Sequence, residues 1–329
     1  MTWLRLYGQA REAEGAAAGY YNRNVGVRTA DGKVNVRIPL AAADTMDLRL
    51  WREEDVLTCI RPYVVRAPEL RHVSEDPRFQ VHHFIEGSVL DGLSPRGVSV
   101  PPHVIGDVVA LLDQLGRIPA EKAPPLPAHW PASGDSGGFA RLLARLTRQV
   151  HTTYRDEYRE AFVGLGIPDD PLAVIEPRWE SLTSRPFAVL HADLHRKNMI
   201  VADGVTWFLD WELALWGDPV YEIAIHFHKM DYPDDQRAEV LGLWRETFPE
   251  RSTAGSSDDL DLYAAHERIK SAIVDTVRYS KQLAASTREE RDLLILRLTK
   301  KVNAARRVWG APPNLVPEQV AALLAPWEG

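Results

Sequence analysis

The chain has 329 residues, a formal net charge of −7, 45% hydrophobic and 26% charged residues, the composition of a globular protein large enough for one big domain or two smaller ones. An acidic balance gives no general attraction to nucleic acid or to anionic membrane, and no run of about 18 consecutive apolar residues offers a membrane span. The N-terminal stretch carries Arg5, Arg11, Glu12 and Glu14 without an apolar core, so no secretory signal is expected there. The single cysteine, Cys59, lies in the apolar run Val56–Ile60 and reads as core packing in a reducing, cytoplasmic setting rather than as a nucleophile.

Taken in order, residues 1–18 read as a leading helix or an arm. Val25 and Val27, then Asp31-Gly32, then Val34, Val36 and Ile38 predict a hairpin, because an Asp-Gly pair between alternating apolar residues is a strong turn signal. Period two puts Val34, Val36 and Ile38 on one face and Asn35 and Arg37 on the other. An amphipathic segment follows over 47–60, with Leu48, Trp51, Val56, Leu57 and Ile60 as its apolar positions. Short strands are expected at 64–65, 70–73 and 79–86, and Gly87 punctuates the chain. Strands and one helix together give a small α+β lobe over 1–87, and 88–329 should form a larger, mostly helical lobe. There the pattern predicts helices over 104–115, over 139–165 with a break at 164–168, over 172–182, and at about 235–248, 258–284, 287–309 and 317–325. Residues 121–138 read as an irregular connection and 252–259 as a polar break.

Residues 189–224 carry the densest polar pattern. Met199-Ile200-Val201, then Asp203-Gly204, then Val205 to Leu209 form a second hairpin by the same rule. Its ends bring Asn198 and Asp210 together, close to Asp193. A carboxamide and a carboxylate beside a second carboxylate suit Mg-dependent phosphoryl transfer. The spacing His191-x-Asp193-x4-Asn198 is that of the protein-kinase catalytic loop, where the Asp takes the hydroxyl proton and the Asn holds a metal. Asp and Asn also favour turns and caps, the competing explanation for any one of them alone.

Two boxes then carry a family resemblance. His191-Ala192-Asp193-Leu194-His195-Arg196-Lys197-Asn198 resembles the H-G-D-L-H-P-G-N box of the aminoglycoside phosphotransferase and choline kinase-like family, small-molecule kinases with a protein-kinase-like fold. Asp210-Trp211-Glu212, Gly217-Asp218-Pro219 and Tyr221-Glu222-Ile223-Ala224 resemble its second box. The likeness is most specific over 188–225, looser over 19–87 and faint beyond 225. It implies a bilobal α+β fold with a small β-rich N-terminal lobe and a larger helical lobe. It further implies Asp193 as the residue that orients or deprotonates the acceptor hydroxyl, and Asn198 and Asp210 as ligands of Mg on the phosphates of ATP or GTP. His191 and Asp218 would brace the loop, with His195 and Glu212 as supporting residues. On the small lobe it implies Arg37 as the cation on the phosphates, held by Glu53 (Glu54 is the alternative). The loop Gly19–Asn24, with Asn22 and Asn24, would cover the phosphates, and backbone groups around His83 to Ile85 would meet the purine.

This chain departs from the family at several points. Arg196-Lys197 stands where Pro-Gly is usual; the pair either reaches the transferred phosphate or is solvated, and solvation is the favoured expectation. Glu222 replaces Asp, and Leu115-Gly116 replaces a Leu-His pair. The acceptor is expected between the catalytic loop and the C-terminal helices, near Asp231, Asp235, His266 and Lys270. The mixed charge of 266–279 suits an acceptor less cationic than an aminoglycoside, such as a nucleoside or sugar-containing antibiotic. An aromatic box for a quaternary amine, from Trp211, Trp216, Tyr221 and Tyr232, is the alternative. The expected function is thus a cytoplasmic, Mg-dependent small-molecule O-phosphotransferase, acting on an antibiotic (an aminoglycoside, or one with a nucleoside or sugar portion) or, alternatively, on choline, thiamine, a sugar or an amino alcohol. A nucleotide-binding module without catalysis is the third reading. No nucleic-acid or membrane partner is expected.

Overall fold

Alternating β-branched residues build the small lobe. The computed structural model describes residues 3–13, 17–18, 22–30, 32–40 and 46–327. Helix α1 (Trp3–Glu12) precedes strands β1 (Ala17–Ala18), β2 (Asn22–Thr29) and β3 (Gly32–Pro39). β2 and β3 pair antiparallel with Val25 opposite Val36 and Asn24 opposite Arg37. The predicted turn residue Asp31 lies outside the described residues, as do Gly19, Tyr20 and Tyr21 of the expected phosphate loop. Helix α2 (Glu53–Ile60) and strands β4 (Leu70–Glu75) and β5 (Arg78–His83) complete the lobe, and the sheet runs β1-β2-β3-β5-β4.

Period two then does its work. Val25, Val27, Val34, Val36, Phe79 and Val81 pack on one face with Leu6 and Ala10 of α1. Arg37 faces the other side, where α2 lies. The apolar side of α2, Val56, Leu57 and Ile60, joins the larger core of the helical lobe instead, so α2 ties the two lobes together.

Chain passage to the second lobe uses β6 (Ser88–Val89) and the one-turn helix α3 (Leu90–Leu93). Gly87 before them has φ +148°. A Cβ there would stand 2.6 Å from both Ile200 Cγ2 and the Val201 carbonyl oxygen. Only glycine fits that approach.

Helices α4 (Pro102–Gly116), α5 (Ser136–Tyr154) and α6 (Arg159–Leu165) follow. The single helix expected over 139–165 is therefore two. Asp135 caps α5 by accepting the Gly138 N–H (2.7 Å), and Gly166 in the left-handed region (φ +76°) closes α6. The helix expected over 172–182 is instead turns and a 3-10 segment at Glu176–Ser181. Pro171 and Pro177, which lack N–H donors, interrupt the α ladder there.

Strands β7 (Ala188–Leu190), β8 (Met199–Ala202), β9 (Val205–Phe208) and β10 (Leu215–Gly217) frame the motif region. β8 and β9 form the predicted hairpin. Its turn residues Asp203 (φ +50°) and Gly204 (φ +74°) are both left-handed, as a type I′ turn requires. β7 pairs with β10.

Then come α7 (Pro219–Met230), α8 (Asp234–Thr247), the one-turn α9 (Glu250–Thr253), α10 (Ser256–Leu283), α11 (Arg288–Val308) and α12 (Pro317–Leu324). Sequence periodicity did not reveal α7 as a helix, because it is buried nearly all round. Its start is nonetheless well marked: Asp218 accepts the Val220 N–H (2.9 Å) and Pro219 occupies the first turn. Among the described residues no helix is long and apolar enough to cross a membrane.

Gly87→Ala is expected to cost roughly 1–3 kcal/mol, from overpacking and a strained φ together. A denaturant titration that leaves the midpoint unchanged would show that the Ile200 contact relaxes freely.

Candidate active site

Two clusters meet where the lobes face each other. On the small lobe, Arg37 is 6% exposed and Glu53 7%. Arg37 Nε lies 2.9 Å from Glu53 Oε2, and its Nη2 reaches Asp210 Oδ1 (2.5 Å) and Glu212 Oε2 (3.1 Å) across the lobe boundary. A planar, permanently charged fork can serve several carboxylates at once, where a lysine would act as a point charge. Burial works against the guanidinium charge, and the three carboxylates restore it. Glu53 Oε1 also accepts the Trp211 N–H (3.1 Å). Glu54, the alternative, accepts instead from Gln80 Nε2 (2.8 Å).

Glu212 gathers further donors. Asn22 Nδ2 donates to its Oε2 (2.7 Å), and Arg49 Nη2 stands 3.2 Å from the same atom. Asn24 does not join this cluster through its side chain, whose Oδ1 accepts from Asn35 Nδ2 (3.3 Å) within the sheet.

On the helical lobe, both oxygens of Asp193 are engaged. Asn198 Nδ2 donates to Oδ2 (2.9 Å) and to the Asp193 carbonyl (3.0 Å). His195 Nε2 lies 3.5 Å from Oδ1, and Lys229 Nζ donates to the same oxygen. Burial alone would raise the Asp193 pKa, but the Lys229 ammonium and His195 overcome it and hold the carboxyl well below the usual range. Asp193 is therefore anionic at every physiological pH.

His191 is fully buried, and burial pushes its pKa down to about 4. The neutral ring donates from Nε2 to the Leu209 carbonyl (3.1 Å) and accepts the Asp193 N–H at Nδ1 (3.3 Å). This pair of partners fixes one tautomer. Ala192, between them, has φ +56°, a left-handed conformation that costs a non-glycine residue about 1–2 kcal/mol. Glu222 Oε2 holds it there by accepting its N–H (2.8 Å).

Helix α7 supports the loop along one face. Glu222 meets Ala192, His226 Nδ1 donates to the Leu194 carbonyl (2.9 Å), Lys229 meets Asp193, and the Met230 carbonyl accepts from Arg196 Nε (2.9 Å). The spacing i, i+4, i+7, i+8 is that of a single helix face. Glu222, His226 and Lys229 were not among the predicted site residues. Their signal was present as polar side chains at helical spacing in an otherwise apolar run. Arg196, expected in solvent, is 1% exposed and donates also to the Ser94 carbonyl (2.7 Å). Lys197 is exposed.

Asp218 is completely buried and faces Arg185, also completely buried, through two parallel bonds: Nε to Oδ1 (2.9 Å) and Nη2 to Oδ2 (2.7 Å). Tyr263 Oη donates to Oδ2 as well (2.9 Å), and Arg185 continues to Asp259 (2.5 Å). Asp218 thus anchors α7 to α10.

A narrow cleft of about 30 Å³ lies beside Ala192. Its walls are largely apolar, with Asp47, Thr147, His266 and Lys270 as the polar groups, and Tyr221 lines it too. Lys270 Nζ is 3.7 Å from both Asp47 and Glu267, and Arg278 Nη2 donates to Asp47 (2.9 Å). Of the residues expected around the acceptor, His266 and Lys270 line this cleft. Asp231 stands instead at the α7 C-terminus, 3.8 Å from Arg96, and Asp235 lies in the first turn of α8. The His83 N–H is taken by the Glu69 carbonyl (2.8 Å) and its ring lies by Trp207. Ile85 is buried.

The fit to a metal rests on the donor set. Among the described residues no group of three or more His, Cys, Asp or Glu side chains could hold an ion. Asn198 uses its amide nitrogen on Asp193, which leaves its oxygen as a donor. Asp210, in a left-handed turn (φ +66°), carries the second set of oxygens. Two hard oxygen residues suit Mg completed by nucleotide phosphates rather than a self-sufficient protein cage.

Two outcomes follow from this geometry. Asp218→Ala leaves the Arg185 charge without its fork and is expected to cost about 3–5 kcal/mol in urea denaturation; a loss below 1 kcal/mol would contradict the anchoring role. Glu222 is raised by burial from 4.5 to about 7. A carboxyl raised in the folded state stabilises at low pH, and that contribution is lost as pH climbs from 4.5 to about 7. Glu222→Gln, which keeps an acceptor oxygen, should therefore gain on the wild type by on the order of 1–3 kcal/mol over that window. A difference that does not change with pH would sink this assignment.

No curated protein sequence matches the chain. Among solved structures, an ethanolamine kinase from Plasmodium vivax is 14% identical, with TM-score 0.58, over 90% of this chain and 85% of its own. A choline/ethanolamine kinase family protein from Mesorhizobium loti is 13% identical, with TM-score 0.58, over 98% and 99%. An aminoglycoside phosphotransferase in ternary complex with AMP-PNP and hygromycin B is 15% identical, with TM-score 0.54, over 88% and 92%. These likenesses establish the fold, the bilobal α+β architecture of protein-kinase-like small-molecule kinases. The family model described as "Phosphotransferase enzyme family" matches residues 12–254, well over half of the chain, and the protein is a member of that family.

Proposed function

We propose that the protein transfers the γ-phosphoryl group of ATP or GTP to a hydroxyl of a small molecule in the cytoplasm, and that the acceptor is an antibiotic with a nucleoside or sugar portion. The observation that carries the reading is the placement of Asp193. Its carboxylate follows directly on Ala192, which lines the cleft, and is gripped by Asn198, which together with Asp210, the partner of Arg37, flanks the β8–β9 hairpin.

Asp193 accepts the hydrogen bond of the acceptor hydroxyl and aims its oxygen at the phosphorus. Because its own pKa is held low, it orients the hydroxyl through most of the reaction and takes the proton only late, as a loose transition state allows. Asn198 and Asp210 would hold Mg, which neutralises charge on the nucleotide phosphates. Arg37 provides a guanidinium at the same phosphates, kept in place by Glu53. In this scheme backbone groups around His83 to Ile85 meet the purine, and Asn22 covers the phosphate end.

The cleft favours an acceptor of low net charge. Lys270 and Arg278 offset Asp47 and Glu267, whereas a polycation would need an excess of carboxylates. Trp211, Trp216 and Tyr232 are at most 9% exposed, and Tyr232 is engaged with His226. They offer little to a quaternary amine, which is why we favour the antibiotic over choline.

The test is incubation of the purified protein with Mg and either nucleotide against a panel of nucleoside and macrocyclic antibiotics, aminoglycosides, sugars and amino alcohols, read by mass spectrometry. We expect phosphorylation of an acceptor of low net charge, and a fall of about 10²–10⁴-fold in rate for Asp193→Ala. A wild-type protein that binds neither nucleotide and phosphorylates nothing in the panel would refute the assignment. Nucleotide binding without turnover would point to the module instead.

A further inference from the structure

We propose that Lys229 of α7 is a second phosphate cation of the site: its ammonium contacts the terminal phosphoryl group of the bound nucleotide while holding Asp193 in place. This rests on the phosphotransferase reading above and adds to it a residue outside both motif boxes.

The argument begins with position. Lys229 Nζ donates to Asp193 Oδ1. The acceptor hydroxyl must bond to that same carboxylate, and the phosphoryl group travels to that hydroxyl. A group one hydrogen bond from Asp193 is therefore within reach of the transferred phosphate. An ammonium has three donors, and among the described residues its hydrogen bond is to Asp193. The side chain is 24% exposed, so it is not sealed behind the loop. Burial opposes its charge, but Asp193 and, at longer range, Asp47 and Glu267 keep it charged.

Charge balance asks for such a cation. Glu53, Asp210 and Glu212 are offset by Arg37 and Arg49, and Asp193 is offset by Lys229. Arg37 is shared among three carboxylates. On the loop itself, Arg196 is turned into the protein and bonded to the Met230 and Ser94 carbonyls. Lys229 is the cation in contact with the catalytic carboxylate. It carries no phosphoryl group covalently; as the phosphorus–oxygen bond to the leaving nucleotide lengthens and the bond to the acceptor forms, it remains hydrogen-bonded to a phosphoryl oxygen and compensates the charge there.

The test needs no acceptor. Affinities of Mg·ADP and Mg·AMP-PNP are measured by calorimetry for the wild type, Lys229→Met, Lys229→Arg and Asp193→Asn. Lys229→Met should weaken AMP-PNP by about 10-fold or more, the worth of one charge-assisted hydrogen bond, and change ADP less than about twofold. Lys229→Arg should restore most of the AMP-PNP affinity. Since Lys229→Met leaves the Asp193 carboxylate unpaired, the double variant Asp193→Asn/Lys229→Met is compared with Asp193→Asn in the same way. An unchanged AMP-PNP to ADP ratio in both comparisons, or equal weakening of both nucleotides, overturns the proposal and assigns Lys229 to holding the loop. A wild type that binds neither nucleotide overturns the phosphotransferase reading itself, a result distinct from either.

Discussion

The catalytic loop stands on the polar face of α7. Residues Glu222, His226 and Lys229 and the Met230 carbonyl each take one group of the loop between Ala192 and Arg196. The helix is in turn fixed at its first turn by Asp218, whose carboxylate is shared among Arg185, Tyr263 and the Val220 N–H. Such a buried charge is tolerated because every lone pair it offers is used. If Asp218 moved, α7 would shift along its axis and the loop would follow. The aim of Asp193 is therefore set from behind the loop, by a helix whose own anchor, Asp218, is fully buried.

This support explains how Ala192 can occupy a left-handed conformation without glycine. The strain is modest and is offset by the bond from its N–H to Glu222. The Glu222 side chain is long enough to reach that N–H from the first turn of α7. Lobe coupling uses different chemistry. Arg37 bridges Glu53 to Asp210 and Glu212, so one guanidinium joins the small-lobe sheet to the β9–β10 turn beside the apolar packing of α2 on the helical lobe.

Legibility in the sequence followed contact range. The hairpin at Asp203-Gly204 and the trio Asp193, Asn198 and Asp210 lie within a short stretch, and turn chemistry and spacing suffice to place them. Strand period put Arg37 on the face away from the packed valines, while its pairing with Glu53 was an expectation from the family resemblance. Lys229 was not recognised, because its role exists only once α7 folds back against a loop 36 residues earlier. Arg196 misled for a related reason: an arginine in a polar motif reads as solvated, whereas two carbonyls, Met230 and Ser94, from separate elements draw it inside. The 172–182 segment had helical apolar spacing but prolines placed where the α ladder needs donors. The acceptor cleft was the least legible part, since its polar groups come from the segment before α2, from α5 and from α10.

That segment before α2 has one more implication. Within a few residues Asp47 binds Lys270 and Arg278 of α10, Arg49 binds Glu212, and Glu53 binds Arg37. The wall of the acceptor cleft and the clamp on the nucleotide side are parts of one short strand of chain. On the proposed reading, acceptor choice and donor geometry are therefore coupled through this stretch. Grafting α10 from a relative with a different acceptor would leave Asp47 facing unmatched side chains, and the mismatch would be transmitted to Glu53. Lineages that change acceptor must change position 47 together with 270 and 278, so these positions should drift as a set, while the motif residues stay fixed.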